Sequence, residues 1–202
     1  MKIKCVISDL GKVILFFDNF IFFQKIAEHC PFSAQDISER VHRHMDLIRS
    51  FDTGEIESED FYREVVQKLE ADVGKKNFFR MYNDVFSLNL PVLDLLRRLK
   101  TNHKLILLSN TDVERFGFIQ KEFPEILFFD EYVLSYEAGY MKPHPEIYMR
   151  ALNKARIRAE ECVFLDDLQE NIEGAECVGM NVILYEPHTD LEAKLKQMNV
   201  TI

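Results

Sequence analysis

The 202-residue sequence has no tryptophan, only 7 glycines and 6 prolines, and no long apolar run. So little glycine and proline argues against fibrous and low-complexity proteins. The four cysteines form no C-x-x-C pair, so we expect buried free thiols rather than disulfides or a zinc site. Because no stretch is apolar and long enough to span a bilayer or to act as a secretory leader, we expect a cytoplasmic protein.

Basic residues are also too few for a polyanion-binding protein. The sequence has 25 Lys and Arg against 34 Asp and Glu, a formal net charge of −9. Nucleic acids and anionic membranes require a basic face, so we expect neither as a partner. A small phosphorylated molecule stays compatible with this charge, because a bound cation can neutralise surrounding carboxylates. Apolar residues make up 47% of the chain, and 202 residues are enough for one compact domain or for a core domain with a small inserted cap.

Short apolar runs alternate with helical patterns along most of the chain. This alternation predicts an α/β fold, a Rossmann-like doubly wound parallel sheet flanked by helices. The predicted strands are 4–8, 105–109, 128–134, 162–166 and 181–184. The predicted helices of this part are 91–100, 145–154, 169–178 and 190–198.

The gap between the first strand and Pro91 is unusually long. It contains about eighty residues, far more than a strand-to-helix connection needs. The segment has helical patterns throughout, at 19–30, 33–51, 58–69 and 75–86. We therefore predict a helical insert at residues 15–88, standing over a core made of residues 1–14 and 89–202.

Ligands of doubly wound sheets collect beyond the carboxyl ends of the strands. The first strand ends in Asp9-Leu-Gly11, and a carboxylate there can attack phosphorus as a nucleophile. An Asp in this position is alternatively a turn or cap residue. Gly11 permits a sharp turn and could direct its carbonyl toward a cation.

Two further segments offer groups that suit an anion. Ser109 and Asn110 follow the second strand, and a hydroxyl beside backbone N–H groups at a helix start can bind phosphate; an ordinary helix cap is the alternative. Lys142 precedes Pro143, which keeps it out of a helix and presents it from a loop. Its ammonium could neutralise a nucleophile and a phosphate, or be a solvated surface charge.

The fourth strand ends in the most specific signal, Asp166-Asp167. Two adjacent carboxylates repel each other and cost stability without a counter-charge. Magnesium, held by a few carboxylates, fits this setting. Asn171 lies about one helical turn further on and can point back to the same place.

Taken together in this order, D-x-G, S-N-T, K-P and D-D-x-x-x-N resemble the four motifs of the haloacid dehalogenase (HAD) superfamily. The insert resembles the C1 cap of its subfamily I, and the resemblance covers nearly the whole chain. The start of the chain and the segment 51–61 (FDTGEIESEDF) look like α-glucose-1-phosphate phosphatases. They are also similar, less closely, to the N-terminal phosphatase domain of epoxide hydrolases.

The resemblance implies a Mg²⁺-dependent phosphohydrolase that acts on a small phosphorylated metabolite, such as the sugar phosphate glucose 1-phosphate. It implies an aspartyl-phosphate on Asp9 and a monomer or homodimer. The implied magnesium ligands are Asp9, the Gly11 carbonyl and Asp167, supported by Asp166 and Asn171. The implied phosphate-binding groups are Ser109, Asn110 and Lys142, and the implied catalytic residues are Asp9, Ser109 and Lys142.

One position departs from the pattern. Most HAD phosphatases carry a second Asp two residues after the nucleophile, where it serves as general acid and base, and this chain has Gly11. The loss of such a group costs about two to four orders of magnitude in rate. Lys12 and Asp18 are the nearby candidates to supply a proton. Two alternatives remain open: a 2-haloacid dehalogenase, which also lacks that Asp, and a catalytically weak binding or regulatory module.

Overall fold

Five parallel strands form the central sheet of the protein, shown here by a computed structural model that describes residues 2–202. Met1, at the start of the predicted core range, lies outside the described residues. In the described part the strands are β1 (Cys5–Ser8), β2 (Leu15–Phe17), β3 (Phe86–Leu88), β4 (Lys104–Ser109), β5 (Glu131–Leu134), β6 (Cys162–Asp166) and β7 (Asn181–Leu184). The sheet has the order β5-β4-β1-β6-β7, which confirms the predicted doubly wound fold.

Helices cover both faces of this sheet. They are α6 (Leu90–Leu99), α7 (Val113–Glu122), α8 (Ser135–Ala138), α9 (Pro145–Ala155), α10 (Gln169–Cys177) and α11 (Leu191–Gln197). Successive strand residues point to opposite faces, so Val6 and Leu105 pack in one apolar cluster while Ile7 and Ile106 pack in the other. Burial on both faces explains why each strand is a continuous apolar run.

The insert is a bundle of five helices with its own apolar cluster. They are α1 (Asn19–Ala27), α2 (Ala34–Arg43), α3 (Met45–Asp52), α4 (Ser58–Leu69) and α5 (Lys75–Asn83). The antiparallel ribbon of β2 and β3 connects the bundle to the sheet, with Phe17 opposite Phe86. We keep the division at residues 15 and 88 as a proposal, in which this ribbon is the hinge.

Several predicted elements differ from the structure. The helices expected at 19–30 and 75–86 end at Ala27 and Asn83, and the insert, predicted to be helical throughout, also contains the strands β2 and β3. The single helix expected at 33–51 is two helices, because His44 leaves the helical conformation at φ −121° and ψ 33°. The break lets α2 pack on α1 while α3 reaches α4 and α8. The strand expected at 128–134 begins at Glu131. Phe128 and Phe129 stack on each other before it, with ring centroids 4.7 Å apart.

The four cysteines are free thiols, but the expectation that all are buried is wrong for Cys30, which is half-buried, and for Cys177, which is exposed. Cys5 and Cys162 are buried side by side on β1 and β6. Within residues 2–202 we find no helix with both the length and the apolar character to cross a bilayer.

The bundle also contacts the sheet domain through a polar joint, a set of hydrogen bonds around Asp112 and Arg115. The Tyr82 hydroxyl donates to Asp112 Oδ2 at 2.8 Å, and Arg115 Nη2 donates to Asn19 Oδ1 at 2.8 Å. The Arg115 guanidinium lies 4.2 Å from the centre of the Tyr82 ring. Asp112 also caps α7 by accepting from the backbone N–H groups of residues 114 and 115. The joint therefore links two insert helices to the start of α7.

The Tyr82→Phe substitution tests this joint. Because the Tyr82 hydroxyl donates to a buried carboxylate, we expect the free energy of unfolding to fall by about 1.5–3 kcal/mol. Tyr62→Phe is the control, since its hydroxyl donates to the neutral Val73 carbonyl at 2.7 Å inside the insert and should cost about 0.5–1.5 kcal/mol. Urea unfolding measures both; an equal or smaller loss for Tyr82→Phe contradicts the prediction.

Candidate active site

The chemistry-bearing residues meet at one edge of the sheet. β1 lies between β4 and β6, and the carboxyl ends of parallel strands share an edge. Asp9 follows β1, Ser109 ends β4 and Asp166 ends β6. All three side chains are buried. The three segments singled out at strand ends are thus brought together by strand order alone.

Lys142 joins two of these strand ends. Its Nζ lies 2.6 Å from Asp9 Oδ1 and 2.6 Å from Asp166 Oδ2, and it also donates to the Leu108 carbonyl at 3.1 Å. The residue lies in the loop between α8 and α9, as its place before Pro143 predicted. Its side chain is only 1% exposed, so the alternative of a solvated surface charge is wrong.

The charges of this cluster shift one another's protonation. Burial raises the pKa of Asp9 to about 7, which Lys142 opposes and Asp166 reinforces. Burial by itself would lower the pKa of Lys142, but Asp9 and Asp166 raise it above its usual value. Burial and the neighbouring Asp166 likewise raise the pKa of Asp167. The two carboxylates therefore favour the charged form of Lys142, which in turn supplies their positive partner.

Asn110 has a role that sequence reasoning missed. Its Nδ2 donates to the Lys142 carbonyl at 2.9 Å, and its Oδ1 accepts from the Lys142 backbone N–H at 2.8 Å. These two bonds fix the loop that carries Lys142 to the end of β4. The sequence predicted only that the Asn110 backbone N–H binds phosphate, because the partner of an amide side chain depends on the tertiary fold.

The carboxylates fit a magnesium ion. One oxygen each from Asp9, Asp166 and Asp167 lie within 4.8 Å of one another, and oxygen ligands are those that Mg²⁺ prefers. Both Asp166 oxygens already accept hydrogen bonds, Oδ1 from the Leu168 N–H and Asn171 Nδ2, and Oδ2 from Lys142. Asp9 and Asp167 therefore have the more available oxygens.

Asn171 holds the Asp166 carboxylate through a hydrogen bond. Its Nδ2 lies 2.9 Å from Asp166 Oδ1. Its Oδ1 is buried and has no hydrogen-bond partner among residues 2–202. A buried amide oxygen without a donor is costly, and a water bound to a nearby cation would satisfy it. The donor set therefore suits a hydrated cation held by the carboxylates.

A side chain at position 11 would meet the ring of Phe17. A Cβ on Gly11 would lie 2.9 Å from Phe17 Cε1 and 3.8 Å from Asp9 Oδ2. The Gly11 carbonyl, predicted to face a cation, accepts from the Val13 N–H at 2.7 Å. Of the two candidate proton donors, Asp18 caps α1, whereas Lys12 Nζ lies 3.9 Å from Asp167 Oδ2 at the site.

Comparison with known proteins identifies the family. A family model described as haloacid dehalogenase-like hydrolase matches residues 3–179. The chain belongs to this family. A D-ribitol-5-phosphate phosphatase of Bacteroides thetaiotaomicron is 23% identical over an alignment of 203 positions, gaps included, that covers 96% of this chain and 97% of the relative. Bifunctional epoxide hydrolase 2 of Rattus norvegicus is 33% identical over 73 residues, which cover 36% of this chain and 13% of that protein.

A solved structure agrees with this assignment. A HAD family enzyme from Bacteroides thetaiotaomicron, in complex with magnesium and inorganic phosphate, superimposes with a TM-score of 0.82. It is 25% identical, and the match covers 95% of this chain and 98% of that one. The predicted family, the fold and the class of phosphoric monoester hydrolase are thereby confirmed. Magnesium, the predicted cofactor, is bound by that solved relative.

Removing the Lys142 ammonium should destabilise the metal-free protein. Lys142→Met leaves Asp9 and Asp166 buried without their counter-charge, and breaking a buried pair costs about 3–5 kcal/mol. Urea unfolding in EDTA measures the loss, and added magnesium should reduce it. Lys121→Met is the control, because its contact with Glu122 is exposed and should cost less than about 1 kcal/mol. Equal losses for the two variants would contradict this view of the site.

Loosening the Lys142 loop should slow the reaction. We expect Asn110→Ala to lower kcat/KM on p-nitrophenyl phosphate by about ten- to a hundred-fold, because the Lys142 ammonium would move relative to Asp9 and small displacements of groups at a reacting centre cost rate steeply. Asn181→Ala is the matched control: its amide donates to two backbone carbonyls, at 2.9 and 3.1 Å, beside β6 and β7. A similar loss of kcat/KM in both variants would mean that general destabilisation is the cause.

Proposed function

We propose that this chain is a Mg²⁺-dependent phosphatase of small phosphorylated metabolites and that Asp9 is its nucleophile. The observation that carries the proposal is the Lys142 ammonium, which lies 2.6 Å from both Asp9 and Asp166, with Asp167 completing the carboxylate group. A buried cation and a cation-binding carboxylate cluster at one point suit a substrate that brings its own negative charge.

Asp9 would attack the phosphorus of the bound ester. The new bond joins a carboxylate oxygen of Asp9 to phosphorus, and the bond from phosphorus to the ester oxygen breaks; its electron pair stays on that oxygen, which takes up a proton and leaves as the alcohol. Water then attacks the same phosphorus and gives up a proton, and the bond from phosphorus to Asp9 breaks, which releases inorganic phosphate and restores the Asp9 carboxylate. Lys142 holds Asp9 in the attacking position and offsets negative charge in both steps.

The other residues of the site would bind the phosphate and the magnesium ion. Ser109 and the Asn110 N–H, at the carboxyl end of β4 and just before α7, would donate to phosphate oxygens. The magnesium ion would be held by Asp9, Asp167 and the Gly11 carbonyl. Asp166 and Asn171 would orient these ligands. When bound, the ion supplies positive charge that draws Asp9 and the phosphate together.

The substrate is proposed to be a sugar or polyol phosphate such as glucose 1-phosphate. Two lines of support are the likeness to a ribitol phosphate phosphatase along 96% of this chain and the insert that stands at the site. Gly54 of the insert approaches the core closely: a Cβ there would lie 2.3 Å from the Tyr136 carbonyl oxygen, just past β5. By analogy with the fold, a small insert of this kind favours a small metabolite over a protein as substrate.

Phosphate release from p-nitrophenyl phosphate and a panel of sugar phosphates, with magnesium and with EDTA, tests the proposal. Asp9→Asn should abolish the magnesium-dependent release. Asp18→Asn is the control: Asp18 caps α1 and Asn caps helices about equally well, so activity should persist.

Absence of release from every compound by the folded protein with metal bound would contradict the proposal. It would favour a weak binding module, or dehalogenation, which release of chloride from L-2-chloropropionate would reveal. Persistent activity in Asp9→Asn would instead assign the nucleophile to another residue.

A further inference from the structure

A cavity of about 100 Å³ lies inside the helical insert. All five insert helices and the start of α7 contribute to its wall, and none of the residues proposed to act in phosphate transfer lines it. Four phenylalanines and Tyr82 give the wall an aromatic character. Apolar cavities exclude water, and one of about 150 Å³ binds benzene. The interior therefore suits an apolar group about the size of one benzene ring.

The charged side chains that line this cavity share one sign. They are Arg40, His44, Lys68 and Arg115, and no Asp or Glu within residues 2–202 lines it. The chain as a whole is acidic, with 34 Asp and Glu against 25 Lys and Arg. A basic wall in an acidic protein concentrates positive potential locally and favours an anionic ligand.

Three of these basic residues mark the opening of the cavity. His44 and Lys68 are exposed and Arg40 is half-buried, so this side meets the solvent. Arg115 contributes less charge, because its Nε lies 3.9 Å from the buried Asp112 Oδ2. An anionic head group is therefore expected at the opening, where it keeps part of its hydration.

Arg40 is the basic residue most available to a ligand. Its guanidinium lies 3.7 Å from the centre of the Phe32 ring, and no carboxylate of residues 2–202 lies within 4.0 Å of it. Lys68, in contrast, has Glu64 at 3.7 Å. Because Glu64 already offsets Lys68, a singly charged head group suits this opening better than a doubly charged one. A carboxylate also matches the planar fork of a guanidinium.

We propose that this cavity binds a small aromatic carboxylate, with its ring inside the insert and its carboxylate among Arg40, His44 and Lys68. The ring would extend the edge-to-face packing that Phe22 makes with Phe78 and Tyr82, whose centroids lie 5.6 and 5.5 Å away. The proposal goes beyond the phosphatase function and does not depend on it.

Titration of the ¹⁵N-labelled protein with benzoate, benzyl alcohol and acetate, followed by NMR, tests the proposal. The three probes separate the contribution of the ring from that of the charge. Magnesium and excess inorganic phosphate are present throughout, so that benzoate does not occupy the phosphate site. We expect a Kd for benzoate of about 1 mM or lower, at least about ten-fold below that of either other probe. The shifted amides should include Val41 and Val65, which line the cavity.

Two variants assign the binding to the cavity. Arg40→Met removes the guanidinium and keeps an apolar stem, so the Kd for benzoate should rise at least about five-fold. Arg43→Met is its matched control, because Arg43 is exposed on the same helix and does not line the cavity. Val65→Phe fills the cavity with a ring of the protein itself and should abolish benzoate binding.

Three results would overturn the proposal. Benzoate that binds no more tightly than benzyl alcohol shows that the basic opening contributes nothing. Shifts centred on Ser109 and Asn110 place benzoate at the phosphate site instead. Undiminished binding by a folded Val65→Phe variant excludes the cavity, and if that variant does not fold, equal affinities of Arg40→Met and Arg43→Met do so. None of these measurements involves turnover, so each result leaves the phosphatase proposal as it stands.

Discussion

The Lys142 ammonium between Asp9 and Asp166 is the constraint on which the rest of the site depends. Three charged side chains are buried there, and a buried charge is tolerated only when it is paired and hydrogen-bonded. Each carboxylate lies 2.6 Å from the same nitrogen. One cation for two carboxylates leaves the cluster negative, and Asp167 adds to this charge. That excess is what makes a bound cation favourable.

The elements around the cluster serve to keep this geometry. Strand order brings Asp9 and Asp166 to the same edge, but Lys142 arrives from a loop far along the chain and needs its own support. Asn110 gives that support through two hydrogen bonds to the Lys142 backbone. Asp112, two residues later, accepts from Tyr82 of the insert. One short segment after β4 therefore contacts both the Lys142 loop and the insert.

The sequence predicts the features that follow from local pattern. Continuous apolar runs gave the sheet strands, and the strand ends located Asp9, Ser109 and the Asp166-Asp167 pair. The break at His44 escaped prediction, because no glycine or proline marks it and only the packing of α2 and α3 on different partners requires it. The Phe17 ring beside Gly11 also escaped, since β2 and β3 are three residues each and pair across a long separation.

The contacts of the Asn110 side chain and the burial of Lys142 also could not be predicted from local sequence. Each is a contact between segments that the sheet brings together, and neither residue type has a preference that reveals it. The roles of the motif residues stay proposals, whereas their juxtaposition is a property of the fold.

The most direct test of this account is to locate the phosphoryl group during turnover. Enzyme mixed with ³²P-labelled glucose 1-phosphate and magnesium is quenched in acid within milliseconds, digested, and its labelled peptide sequenced by mass spectrometry. The account predicts label on the peptide that contains Asp9, and none after Asp9→Asn. Label on another residue, or rapid release of phosphate with no labelled peptide at any quench time, would contradict a covalent intermediate on Asp9.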